Sequence, residues 1–588
     1  MKNWYRILIL FLVSSSLLTF TAAAQQKNTD TERALVLKLA AYLKDSSYIK
    51  NTIRQIETEK KVEIQITGYQ KLHKQVQRML LLQSELKWLN MEAIRLAYED
   101  MKRIEGFDAV KYLPILTELE QQVKQGFGNI YSGDEAVLAN AEKAVANKRA
   151  ILLANPLLNG DKILTVRYQL GNRDRRAMAP ELGTQSNNWS NQESARRKGF
   201  NADIVELSNL RDEVQIRTIY KPDNTSSIAD LKLHWDGDRA MFTQTMSDNR
   251  WNVFEVKLNN GDCKKLIDNP EPDLEFYDGT YLPDGRIIAN SNIGYQGVPC
   301  VNGSDPVGNM VLYTPQSKNL RRLTFDQDAN WNPVIMNNGR VMYTRWEYTD
   351  LTHYYTRIVM NMNPDGTEQK ALYGSGSMFP NSTFDVQPLP GYASAFVGII
   401  SGHHGVARSG RLILFDPAKA RKGAAGMLQE IPHRNRPIVE EVKDRLVDGV
   451  WPQFIKPSPL NDTYFLVAAK LDKNDLWGIY LVDKFDNVTC LHKMEGEGYI
   501  SPIAVRKTVT PPAIPDRVKL DDKQATVFIQ DIYEGEGLKG IPRGTVKSLR
   551  LHAYEYAYVQ TQSDHNWHGI QSGWDIKRML GTVPVEED

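Results

Sequence analysis

The sequence predicts a mainly β chain: a six-bladed β-propeller, preceded by a small α-helical domain and followed by part of a C-terminal β domain. Three observations lead there. Between about Asp230 and Val505 one pattern returns five times: a short polar turn, an apolar strand, then a second strand closed by an acidic or Asn-Gly turn. The strands are rich in aromatic and β-branched residues and are punctuated by Asp-Gly and Asn-Gly, which is the signature of hairpins. Finally, one strand-like segment is left over after the last repeat and three are left over before the first. Together they supply the strands that a ring of sheets needs to close.

The repeats pair Trp235–Phe242 with Trp251–Lys257, Tyr281–Ile288 with Met310–Tyr313, and Asn338–Tyr343 with Arg357–Met362. Ala393–Ile400 pairs with Arg411–Asp416, and Asp462–Val467 with Leu476–Val482. A period of roughly 45 to 75 residues suits propeller blades carrying loop insertions. A β-sandwich with coincidental spacing is the competing architecture. The leftover strands are Ile500–Val505 on one side and Lys162–Arg167, Asp203–Leu207 and Glu213–Ile219 on the other. One plus three makes a sixth blade and hides the open edges.

Residues 28–155 differ in kind. Leu72, Val76, Met79, Leu82, Leu86, Leu89, Ala93 and Leu96 recur every three or four residues, the stripe of a long amphipathic helix. Shorter helices are expected over Thr31–Lys44, around Pro114, and over Glu135–Leu153. The stripe reads either as the core of a small helical domain or as a coiled-coil surface for a partner. Between Met178 and Phe200 the composition is that of a long loop, a class that is usually functional or disordered. Val509–Pro515 is a proline-stiffened linker, and strands resume at Ala525–Gln530 and Thr545–Leu551. The expected boundaries are 1–24 for a signal peptide, 28–155 for the helical domain and 160–508 for the propeller. A linker over 509–523 then precedes a C-terminal β domain, 524–588, that stops in mid-pattern.

Lys2 and Arg6, the apolar run Ile7–Phe20 and the Ala22-Ala-Ala24 cleavage pattern form a secretory signal; an uncleaved anchor is the alternative. The mature chain is therefore expected in the periplasm or outside the cell, with no later membrane span. Across 588 residues, Lys+Arg 72 against Asp+Glu 71 leaves a net charge of +1, with no electrostatic footprint for nucleic acid. The three cysteines, Cys263, Cys300 and Cys490, are too few for a disulfide scaffold, although a Cys263–Cys490 bridge stays open.

Known catalytic signatures are scarce. Gly535–Gly540 matches G-x-G-x-x-G, but Pro542 and Gly544 fall where the phosphate-facing helix should begin. There is no G-x-S-x-G, H-E-x-x-H, P-loop or C-x-x-C-H in the sequence. The most chemical-looking stretch is Ser401-Gly-His-His-Gly405. His403 and His404 are candidate metal ligands, and Cys300 in Gln296–Cys300 is a soft donor that could join them around an ion such as zinc. The competing reading makes the histidines loop hydrogen-bonders and Cys300 a small buried residue. Asp564–His568 is a second polar-aromatic cluster, more simply an exposed loop.

The Gln296–Cys300 loop, the Ser401–Gly405 turn, Gly537–Val546 and Gly581–Asp588 resemble secreted proteins related to the hydrazine synthase alpha subunit. The resemblance covers residues 150 to 588 and implies a TolB/WD40-like propeller followed by a C-terminal domain. It also implies c-type haem and a metal-associated cysteine, to which Cys300 would correspond. The chain departs from that pattern in lacking C-x-x-C-H, so haem is not supported here and hydrazine synthesis is not expected of this polypeptide alone. Two functions follow. One is a ligand- or protein-binding accessory module with a small-molecule or protein partner at the propeller end. The other is a redox or metal-dependent enzyme using Cys300, His403 and His404, with haem on a further C-terminal segment.

Overall fold

A computed structural model of the chain describes residues 22–158, 160, 162–170, 177–298, 301, 304–346, 356–524, 526–534, 536–554 and 577–586. It divides into two compact units. The first comprises the chain up to residue 161 with 208–215 and 481–491, and the second comprises 162–207, 216–480 and 492–588.

The first unit is built on six helices: α1 (Ala22–Ala40), α2 (Ser47–Glu57), α3 (Val62–Lys87), α4 (Met91–Met101), α5 (Ala109–Gln125) and α6 (Glu135–Leu152). The predicted long stripe is split between two of them. Asn90 stops α3 from continuing, because its Oδ1 accepts the backbone N–H groups of Glu92 and Ala93 and so caps α4. Leu72, Val76, Met79 and Leu82 are buried against Val36, Ile49, Ile53, Leu138 and Val145, so the stripe is the core of its own unit. On α6, Lys148 and Arg149 are buried. The Lys148 ammonium lies 3.4 Å from Glu85 and donates to the Val488 carbonyl, while Arg149 donates to the carbonyls of Leu210 and Cys490. Buried cations survive here because each finds acceptors.

The β-strands form four-stranded antiparallel meanders, most of them within the second unit. Their first strands are β4 (Ile228–Leu233), β8 (Phe276–Tyr281), β12 (Asn330–Ile335), β16 (Ser382–Pro388) and β20 (Gln453–Pro459). Each continues into three further strands, for example β5 (Arg239–Thr245), β6 (Trp251–Lys257) and β7 (Cys263–Lys265) after β4. The meanders begun by β12 and β16 touch through one parallel bridge, Arg357 to Ser382. A further sheet is assembled from both ends of the unit: β24 (Glu497–Ala504) pairs with β1 (Lys162–Gln169), which continues to β2 (Ala202–Ser208) and β3 (Gln215–Tyr220). This is the one-plus-three pairing the sequence predicts.

Successive meanders pack face to face. Leu282, Ile288 and Met310 of one meet Val341, Tyr343 and Ile358 of the next. Val334, Met342 and Val359 then meet Phe396, Ile400 and Ile413. The first strands touch in succession, β4 on β8, β8 on β12, β12 on β16, β16 on β20, β20 on β24 and β24 on β4.

Two expectations need correction. Residues 526–529 form no strand, and Val527 and Phe528 are exposed. The later strand starts at Ser548 rather than Thr545 and pairs with Lys577–Pro584 as a hairpin. The Cys263–Cys490 bridge that the sequence left open is not formed.

Candidate functional site

Each of the six first strands carries the same irregularity: two of its residues oppose one on the neighbouring strand. The first residue of each bulge has a positive φ: Asp230 52°, Asp278 51°, Asn332 52°, Asp385 51°, Lys456 51° and Ser501 56°. A non-glycine residue in this region costs about 1–3 kcal/mol, least for Asp and Asn. Six such residues line a single cavity of about 270 Å³. Bulges re-aim side chains, and here they aim six polar ones at one space.

Hydrogen bonds link these residues from strand to strand. Asn332 donates its backbone N–H to Asp278 Oδ2 (2.6 Å), Asp385 to Asn332 Oδ1 (3.2 Å), and Lys456 to Asp385 Oδ2 (3.1 Å). Lys232 Nζ stands 3.2 Å from Asp278 Oδ1, and Lys456 Nζ stands 2.9 Å from Asp385 Oδ1 and 3.4 Å from Asp230 Oδ1. The linkage breaks at two neighbouring positions. Ser501 Oγ is buried with no hydrogen-bond partner among the described residues. Asp230 Oδ2 is buried with no partner in good hydrogen-bond geometry, the Thr243 hydroxyl standing close enough to lower the Asp230 carboxyl somewhat against its burial.

Electrostatics follow from burial and from the opposed charges. Burial, then the facing Asp278, pushes the Asp230 carboxyl above the usual carboxylate range. Burial alone would lower the Lys456 ammonium, but Asp385, Asp230 and Asp278 outweigh it and raise the pKa. Arg408 lies over the rings of Phe384 (4.3 Å) and Trp331 (4.9 Å), and burial brings it down to about 10.

The cavity is also lined by His234, Trp235 and Tyr281, with Arg506 and Thr508 from the segment after β24. That proline-rich segment is strapped across hairpin turns of the same unit rather than running free. Thr508 donates to the Trp235 carbonyl, Asp516 pairs with Arg286 (2.8 Å), and Val518 donates to Asp365. His234, Asp236 and Asp238 bring possible metal donors together. However, Arg239 already donates to His234 Nε2 (2.7 Å), Asp236 (3.1 Å) and Asp238 (2.7 Å), so an internal cation occupies that cluster.

The segment Met178–Phe200 is neither an exposed loop nor a disordered one. Asn188 Nδ2 donates to Ser401 Oγ and to the carbonyls of Gly402 and Val406, and its Oδ1 accepts the Arg408 backbone N–H (2.8 Å). Arg408 in turn donates to the carbonyls of Asn187 and Ser190. Trp189 Nε1 and Ser194 Oγ both donate to Asp305. Arg408 thus ties the segment to Trp331 and Phe384.

Of the residues singled out in the sequence, His403 and His404 come together with ring centroids 4.4 Å apart. His403 is buried and accepts a hydrogen bond at Nδ1 from Arg357 (2.7 Å); burial, then Arg357, lowers it to about 2, so it is neutral. His404 Nδ1 lies 2.6 Å from Asp444 Oδ1. The flanking glycines have a steric reason: a Cβ at Gly405 would collide with the Asp448 carboxylate. Cys300 and Asp564–His568 lie outside the described residues. Val298 and Val301 pack with Trp346 and Trp189, and both tryptophans stand within ring contact of His403.

The ring residues escaped the sequence reading. A usable signal was present, because Asn332, Lys456 and Ser501 are each followed by proline inside an otherwise strand-like run. Proline within a sheet marks an edge or a bulge.

No protein-family model matches the chain, and no curated protein is detectably similar to it. Among solved structures it is similar to hydrazine synthase of Kuenenia stuttgartiensis, with 12% identity and a TM-score of 0.51, over 72% of this chain and 63% of that one. The chain thus spans less than two thirds of that relative. TolB of Acinetobacter baumannii is similar at 11% identity and a TM-score of 0.37, over 62% of this chain and 73% of that one. The hydrazine synthase match is a likeness of fold.

Proposed function

We propose that this chain is an exported six-bladed β-propeller that serves as a binding or accessory module and takes a small ligand in the ring cavity. The succession of first strands from β4 round to β24 and back to β4 supports six blades. The amino-terminal secretory pattern supports export. The observation that carries the binding reading is the break in the ring, where Ser501 Oγ is buried without a partner among the described residues and Asp230 Oδ2 without one in good hydrogen-bond geometry. Buried polar atoms ordinarily find hydrogen bonds, and a ligand in the cavity would supply them. A ligand that binds only the folded state raises the melting temperature in proportion to its occupancy. Protein isolated from its own exported fraction should therefore melt lower after exhaustive dialysis. Adding back the concentrated small molecules should restore it. A melting temperature indifferent to both treatments contradicts the reading.

A second reading keeps Cys300, His403 and His404 as a metal site, favoured by the 2.6 Å contact between His404 and Asp444. Carboxylates commonly orient metal-bound histidines in this way. Zinc content near one equivalent, lost in Cys300→Ser, would support it; a metal-free native protein would remove it.

A further inference from the structure

We propose that the ring cavity recognises a neutral polyhydroxylated ligand of monosaccharide size, with one hydroxyl donating to Asp230 Oδ2 and a neighbouring one hydrogen-bonded to Ser501 Oγ. This rests on the ligand-binding reading above and specifies its ligand. The argument begins with charge. Among the residues lining the cavity, Asp230, Asp278 and Asp385 stand with Lys232, Lys456 and Arg506, three carboxylates against three cations. A cationic ligand, whether an amine or a metal ion, would have to displace lysines already seated at 2.9 and 3.2 Å from their carboxylates. An anion would be driven against three carboxylates in a space of low dielectric. A neutral hydroxyl meets neither obstacle.

Hydrogen-bond chemistry then narrows the class. A hydroxyl both donates and accepts. Asp230 offers an acceptor without a well-placed donor, Ser501 a group that can do either, and Lys456 an ammonium 3.4 Å from Asp230 Oδ1 whose N–H groups only donate. A hydroxyl lodged between Lys456 and Asp230 uses both its capacities, and an adjacent hydroxyl reaches Ser501. The volume of about 270 Å³ lies below the roughly 300–1,000 Å³ of clefts for drug-sized ligands, which calls for a compact molecule. Among the lining residues, Trp235 and Tyr281 add apolar ring surface with polar tips, suited to the C–H face of a sugar-like ring.

The test is calorimetric titration of the full chain with myo-inositol and glucose, with putrescine, calcium chloride and inorganic phosphate as charged contrasts. The expected result is saturable heat with a polyol. Ser501→Ala, which removes one hydroxyl without altering the backbone, should weaken it about tenfold. Asp230→Asn, checked for native near-UV circular dichroism, should weaken it at least as much. Saturable binding of only a charged probe, weakened by Ser501→Ala, would keep the cavity as a ligand site and overturn the polyol assignment. Polyol binding unchanged in both variants, or no binding of either polyol, also overturns it. The ligand-binding reading itself stands or falls separately, on the dialysis experiment.

Discussion

Lys456 holds both carboxylate oxygens of Asp385: its backbone N–H donates to Oδ2 at 3.1 Å and its ammonium stands 2.9 Å from Oδ1. The two residues come from successive first strands, so this contact ties one meander to the next. It also neutralises a buried carboxylate at the cavity wall.

Lys456→Met should therefore be strongly destabilising. It leaves Asp385 and Asp230 without their cation, and breaking a buried pair from one side costs about 3–5 kcal/mol. Urea unfolding followed by tryptophan fluorescence measures the loss. A loss below about 1 kcal/mol, the scale of exposed ion pairs, would mean that the ring behaves as solvated surface.

The packed segment around Asn188 makes a second prediction. Asn188→Ala removes an amide that donates to three acceptors and accepts from Arg408. Each buried group left unsatisfied costs about 1–3 kcal/mol. Limited proteolysis should find new cleavage between Met178 and Phe200 in the variant and not in the parent. Equal resistance would contradict the role given to Asn188.

Two buried titratable groups set opposite pH slopes. His403 is held down to about 2 by burial and then by Arg357, so the folded chain refuses a proton that the unfolded chain accepts below about 6.5. Stability is then lost as the pH falls from the histidine range toward 2. His403→Gln, whose amide oxygen can still accept from Arg357, should flatten urea midpoints on the acid side. An unchanged acid slope would argue against a neutral buried imidazole.

Glu193 acts in the other direction. Burial, then Glu275, raises its carboxyl to about 8, so the folded chain keeps a proton that the unfolded chain loses above about 4.3. Its contribution is present at low pH and is lost as the pH rises toward 8. Glu193→Gln should be more stable than the parent at pH 8, on the order of a few kcal/mol, and should show no advantage near pH 4. The reverse order would show that Glu193 is charged in the folded state.

Much of the architecture was legible in the chain because middle strands carry regular patterns. Trp251–Lys257 was read with the bounds it has in the structure, and the pairing of β24 with β1 followed from counting unpaired strands. Each repeat nevertheless has four strands rather than two. Ile500–Val505 was read as a first strand, whereas the other first strands were missed because their bulges break the two-residue alternation and, in two of them, place prolines at residues 333 and 457. The candidate site was hidden for the same reason. Its residues are Asp, Asn, Lys and Ser drawn from six distant segments, and only the shared positive φ and the common cavity unite them. The two histidines were legible as a pair, whereas the partner that fixes His403, Arg357, lies in another repeat and has no local signal.

The most direct measurement is difference electron density in the ring cavity of crystals soaked with myo-inositol. The account predicts a bound ring with one hydroxyl within hydrogen-bonding distance of Asp230 Oδ2 and another near Ser501 Oγ. A cavity holding only the waters of the unsoaked crystal, with both atoms satisfied by them, would contradict it.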